Sequence, residues 1–155
     1  MTALDQLCRL RSLRVQRARE RCAQAQAEVD QAMHAVRERQ HRIAHCRREI
    51  EALAHAVVHA LAPRLPRWSG VAAAQRERLA DRLERDEYAL IGDEQALEEA
   101  QERLQQARAE LTRALAREDA LQDLAGETRR AEALAREQRS EREIEDQGSP
   151  RGRVA

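Results

Sequence analysis

Five histidines and three cysteines carry most of the chemistry this sequence could offer, and all of them precede residue 60. His41 and His45, and likewise His55 and His59, stand four apart, the spacing at which two imidazoles on one helical face reach a common metal ion. Two nitrogens are not a site, however, and no third ligand recurs on that face. Cys8, Cys22 and Cys46 are odd in number and match neither a zinc nor a disulfide framework, which points to a reducing compartment. There is no Gly-rich phosphate loop, no nucleophile elbow, and no convergent carboxylate pair beyond what dense helical charge produces. The sequence therefore predicts no metal, no cofactor and no catalytic group. What it offers is surface.

The elements that present this surface follow from composition. Aromatic residues make up 1% of the 155-residue chain and charged residues 36%, which excludes a conventional globular core. Thirty Ala, 28 Arg, 20 Glu and 17 Leu dominate over 5 Gly and 3 Pro, the composition of long helices or a coiled coil. All 28 basic residues are arginine, and 28 acidic residues balance them. A formally neutral chain argues against a nucleic-acid or membrane-surface binder. Residues 1–14 hold no signal-like apolar stretch, and the nearest apolar run, residues 52–62, is broken by His55 and His59. A soluble, cytoplasmic protein without direct membrane insertion is expected.

Periodicity supplies the architecture. Met1, Leu4, Cys8, Arg11, Val15, Ala18, Cys22, Ala25, Val29, Ala32, Val36, Arg39, Ile43, Cys46, Ile50, Leu53, Val57 and Ala60 follow steps of three and four without a slip, the seam of a coiled coil. Only Arg11 and Arg39 break its apolar character. The seam places every histidine on the outer face and all three cysteines among the seam hydrophobes. It stops at Pro63-Arg64-Leu65-Pro66-Arg67-Trp68-Ser69-Gly70, where two prolines remove helical donors and Ser69 is placed to cap a following helix. A second seam runs through Leu83, Leu90, Leu97, Leu104 and Leu111 at sevens, joined by Ala100, Ala107, Ala114 and Leu121.

Residues 1–62 hold 11 Arg and 7 acidic residues, net +4, whereas residues 71–146 hold 13 Arg and 21 acidic residues, net −8. Unlike helices joined by a short connection fold back on each other. The expected fold is all-α, an antiparallel two-helix coiled-coil hairpin with a longer second helix: helix 1 over about 2–62, a turn over about 63–70, helix 2 over about 71–146, and a disordered tail at 147–155. The symmetry pairs Arg39 with Asp93 as a partly buried, register-fixing ion pair. From about residue 132 the second helix has no partner left to pack on.

Apolar residues off the seam are the informative ones, because a hairpin does not need them. Leu10 and Leu13 lie on the outer face of helix 1 among Arg9, Arg14, Arg17 and Arg19, and Leu7, Leu115 and Leu124 flank the seam nearby. Leucines interleaved with arginines suggest a protein-contact surface; the alternative is that they broaden the hairpin's own contact. At the turn, Val58, Leu61, Leu65, Trp68 and Val71 gather, and Trp68 either caps the hydrophobic end or anchors a partner. Tyr88 and Ile91, beside Gly92, form a smaller outer pair of the same kind.

A basic-then-acidic, Arg/Ala/Glu-rich hairpin of this size, with the seam from Val15 to Ala60, the leucines Leu83 to Leu111, a Pro-bearing turn and a longer second helix, resembles the FliJ/YscO family of type III secretion stalk proteins, the Hrp-system members especially. The resemblance is architectural and rests on no short signature. It implies a hairpin similar to the central-shaft coiled coil of rotary ATP synthases, whose end with the two termini enters the pore of a hexameric secretion ATPase while the rest reaches toward a membrane export gate; some members also bind export chaperones. On that resemblance, Leu10, Leu13, Arg14, Arg17 and Leu124 fall at the ATPase end, and exposure alone assigns Trp68, or Tyr88 with Ile91, to the gate. A reading from a different class is a parallel homodimeric coiled-coil scaffold or spacer hinged at residues 63–70.

Overall fold

The computed structural model describes residues 2–60 and 62–148. Helix α1 runs Ala3–His59, a 3-10 turn spans Ala62–Arg64, and helix α2 runs Leu65–Gly148. No strand occurs among the described residues. The protein is an all-α antiparallel two-helix hairpin with a longer second helix, as the twin seams and opposite charges predict.

The element boundaries differ from the expected ones at the turn. Helix α2 starts at Leu65 rather than near residue 71. Pro66 explains why: in the first helical turn its missing N–H is not called on and its fixed φ suits the helix, so a residue read as a breaker becomes a start. Ser69 and Gly70 consequently lie inside α2, and Ser69 is not its cap. Helix α1 ends three residues early, at His59. Of the expected tail, Gln147 and Gly148 are helical, and 149–155 lie outside the described residues.

The chain divides into two compact units, Arg21–Arg108 and a second formed by Met1–Glu20 with Ala109–Ala155. In the first, Ala25, Val29, Ala100 and Leu104 form the central cluster, with Cys22, Ala32, Met33, Leu97 and Ala107 packed against it. Burial continues through Val36, Ile43, Cys46 and Leu79. All but Met33 and Leu79 belong to the two seams read from the sequence, and alanines among the valine and leucine of both helices let the backbones approach closely. Cross-helix ion pairs follow the same antiparallel register: Glu28 with Arg103 at 3.2 Å, Arg47 with Glu87 at 2.7 Å, and Glu49 with Arg82 at 3.5 Å.

The second unit buries Val15, Ala18 and Ala125. Ser12 donates a hydrogen bond to Glu118, and Arg129 lies 3.8 Å from Asp5. Thr2 and Asp5 close a capping box: the Thr2 hydroxyl accepts the Asp5 N–H at 3.2 Å, while the Asp5 carboxylate accepts the Thr2 N–H at 2.9 Å. That bond from the Thr2 backbone, seconded by the Thr2 hydroxyl, lowers the Asp5 pKa below the ordinary aspartate value. Residues 131–148 are exposed throughout except for Ala135, so this length of α2 runs without cover from α1.

Candidate functional site

The residues with the most reactive side chains turn out to be structural or solvated. Cys46 is 1% exposed and donates its S–H to the Leu79 carbonyl oxygen at 3.2 Å, where it acts as a seam hydrophobe with a satisfied polar edge. Cys8 and Cys22 are half-buried. His41 and His45 border a shallow polar cleft with Glu38, Arg42, Arg82 and Asp86, and His45 Nε2 lies 3.7 Å from Glu49. His55 and His59 lie ring against ring, with centroids 4.2 Å apart. Among the described residues no three His, Cys, Asp or Glu side chains converge in a way that could hold a metal ion.

Charge inside the seam is concentrated at Arg39. Its Nε donates to Asp93 Oδ2 at 3.0 Å and its Nη1 donates to Asp86 Oδ1 at 2.8 Å, with the arginine side chain only 22% exposed. The expected partner Asp93 is there; Asp86 is an addition. Hydrogen bonds from the guanidinium to Asp86 first and Asp93 second hold the Arg39 pKa above its ordinary value. A planar fork spread over two carboxylates fixes how far α1 slides along α2, because a shift of one turn would part both bonds. Asp86 was legible: it lies seven residues before Asp93 and three after Leu83, on the same seam.

The predicted contact residues lie on two surfaces and one isolated spot. In the unit that carries the N-terminus, Leu7, Leu10, Leu13 and Leu124 are each about half exposed, and Arg14 and Arg17 are exposed beside Leu10 and Leu13 on α1. Residues 6–19 contain five arginines and no acidic residue. Tyr88 is 79% exposed and Ile91 63%, one turn apart on the outer side of α2. Trp68 is 43% exposed at the start of α2, with Val58 and Val71 still more open.

Beside Trp68 lies a feature that sequence reasoning missed. From Arg47 to Ala60, and from Pro66 to Arg78 in α2, no described side chain is buried, although the α1 seam carries Ile50, Leu53 and Val57 there. Those three side chains line an open groove of about 440 Å³ with Ala54, Val58, Ser69, Ala72, Ala73 and Arg76. Its cause is a mismatch of size. Where the middle of α2 presents Leu79, Leu83, Leu90, Leu97 and Leu104, its first turns present Ser69, Ala72 and Ala73, which leave the aliphatics of α1 without partners. The available signal was that the α2 leucine ladder begins at Leu79 while the α1 seam continues to Ala60.

No family model, curated protein or solved structure matches this chain. No helix among the described residues is long and apolar enough to cross a membrane.

Proposed function

We propose that this protein is a central stalk of a type III protein secretion apparatus, a non-catalytic coupling hairpin that binds a hexameric secretion ATPase and a membrane export gate and acts on the cytoplasmic side of the inner membrane. The observation that carries the reading is the half-exposed leucine and arginine surface of Leu10, Leu13, Arg14 and Arg17, with Leu124, on a hairpin whose second helix outruns the first. Half-exposed leucines off the seam are not needed to close the hairpin, and arginine is the residue of choice for acidic protein surfaces. Two helices of opposite net charge give the shaft a lopsided field, so a surrounding ring of subunits meets different electrostatics at each face. The role calls for no cofactor. Trp68, or Tyr88 with Ile91, serves as the gate-side contact, and escort of export chaperones belongs to the same reading.

Binding of the purified protein to the isolated secretion ATPase, measured by calorimetry or surface immobilisation, tests the reading. Charge reversal by Arg14→Glu with Arg17→Glu should weaken association by about tenfold or more and remove much of its salt dependence. Unchanged binding sinks the assignment of that surface. Rapid covalent dimerisation through Cys8 and Cys22 on mild oxidation would replace the stalk with the parallel homodimeric scaffold, since only in register do those thiols face their own copies.

A further inference from the structure

The groove at the turn has a chemistry of its own. Ile50, Leu53, Val57 and Val58 give it an aliphatic wall along α1, and Ser69, Ala72 and Ala73 give it a low floor along α2. An aliphatic row facing small residues leaves room for side chains that this chain does not supply, and a third helix laid between the two would supply them. The single charged side chain in the groove lining is Arg76. Between Glu51 and Glu77 the chain holds Arg67 and Arg76 together with His55 and His59, and not one Asp or Glu. In a chain where acidic residues equal basic ones in number, 25 consecutive residues without a carboxylate, bounded by Glu51 and Glu77, bias this end toward an acidic partner over a basic one.

We infer that the groove formed by Ile50, Leu53, Val57, Ser69, Ala72 and Ala73 is a docking site for an acidic amphipathic helix of a partner protein, whose apolar face completes a local three-helix bundle while its carboxylates meet Arg76 and Arg67. The concave shape favours a helix over a bilayer: a membrane surface covers a convex end, not a cleft between two helices. A second copy of the same end is disfavoured by like charge. The inference goes beyond the stalk reading and does not rest on it, because the groove and its charge are properties of this chain alone.

Trp68 makes the test direct, since it is the one tryptophan of the protein and adjoins the groove residue Ser69. The full chain is titrated with a designed helical peptide of about 18 residues, with leucine at i, i+3, i+4 and i+7 and glutamate on the remaining face. A twin with arginine in place of glutamate, a scrambled acidic peptide, and phosphatidylglycerol vesicles are titrated in parallel. The expected result is a saturable blue shift of the Trp68 emission with the acidic amphipathic peptide, weakened by added salt, and at least about tenfold weaker binding of the scrambled and arginine peptides. Ala73→Glu, which puts a carboxylate on the exposed groove floor, should abolish the shift; Ala96→Glu, the same change at an exposed position of α2 outside the groove, should leave it intact, with helicity by circular dichroism unchanged in both. Equal binding of the scrambled peptide, binding that survives Ala73→Glu, a response to vesicles alone, or a peptide-free shift that grows with protein concentration would each overturn the inference, the last two in favour of a lipid surface or a second copy.

Discussion

Two stretches of the same hairpin unit carry the same α1 seam and reach different ends. Between Ala25 and Cys46 the seam is buried at nearly every step. Between Arg47 and Ala60 it is buried nowhere, although Ile50, Leu53 and Val57 are larger than the alanines that are buried at 18 and 25. Hydrophobic periodicity on one helix thus states only a demand for cover. Whether the demand is met depends on side-chain size across the seam: the central cluster joins Ala25 and Val29 of α1 with Ala100 and Leu104 of α2, so each helix contributes both a large and a small side chain. At the turn the larger aliphatic side chains lining the groove all come from α1, and packing stays open.

Truncation on each side probes this contrast with the largest effect. Leu104→Ala removes a buried leucine from the central cluster and should cost about 3 kcal/mol, whereas Leu53→Ala removes one already half in water and should cost about 1 kcal/mol. Urea unfolding of the two variants reads the difference. Equal losses would mean that the turn end is as well packed in solution as the middle.

Charge offers the next test. Asp86→Ala and Asp93→Ala should each lower the thermal midpoint, because each leaves Arg39 half-buried with one bond of two. Converting Arg39, Asp86 and Asp93 together to leucine should leave the midpoint at or above that of the parent while letting the helices slip, seen as loss of uniform amide protection along residues 79–107. Protection that stays sharp in the triple variant would show that the alanine and leucine seam alone holds the register.

Much of this was written in the sequence. Steps of three and four gave α1, leucines at sevens gave the middle of α2, and opposite net charge gave the fold-back and the meeting of Arg39 with Asp93. The start of α2 was obscured because Pro66 carries the same signal at a helix start as at a break, and only the backbone around it tells the two apart. The groove was obscured for a deeper reason. An a/d pattern reports which face of a helix is apolar, not whether the residues across from it are large enough to fill the space, and with the α2 seam read only from Leu83 onward, nothing set Ser69, Ala72 and Ala73 against Leu53 and Val57. The exposed leucines were legible as off-seam residues.

Backbone propensity gives a smaller probe. Gly70 in the open stretch and Gly92 in the covered one both lie inside α2, and a methyl group added at either would touch nothing within 4 Å. Alanine at each should therefore gain about 1 kcal/mol of helix stability. If the turn end opens on its own before the whole unfolds, Gly70→Ala will raise local amide protection near the turn and barely move the global midpoint, while Gly92→Ala will move the midpoint. Equal shifts of the midpoint would place both glycines in one cooperative unit.

The smallest expected change is also the one that separates a packing gap from a binding site. Ala72→Leu puts a seam-sized side chain seven residues before Leu79, where the α2 ladder would have continued, and gives Leu53 and Val57 the partner they lack. Burial of part of one leucine, less its ordering cost, should raise stability by about 0.5 kcal/mol. A hairpin that gains stability from one substitution at this position has a groove left unfilled although a single codon would fill it, and the same variant should no longer take up the acidic peptide because its anchor space is occupied. A loss of stability instead would mean that the floor at Ala72 is closed by contact with α1, and that the openness of this end comes from fraying rather than from a shaped cleft.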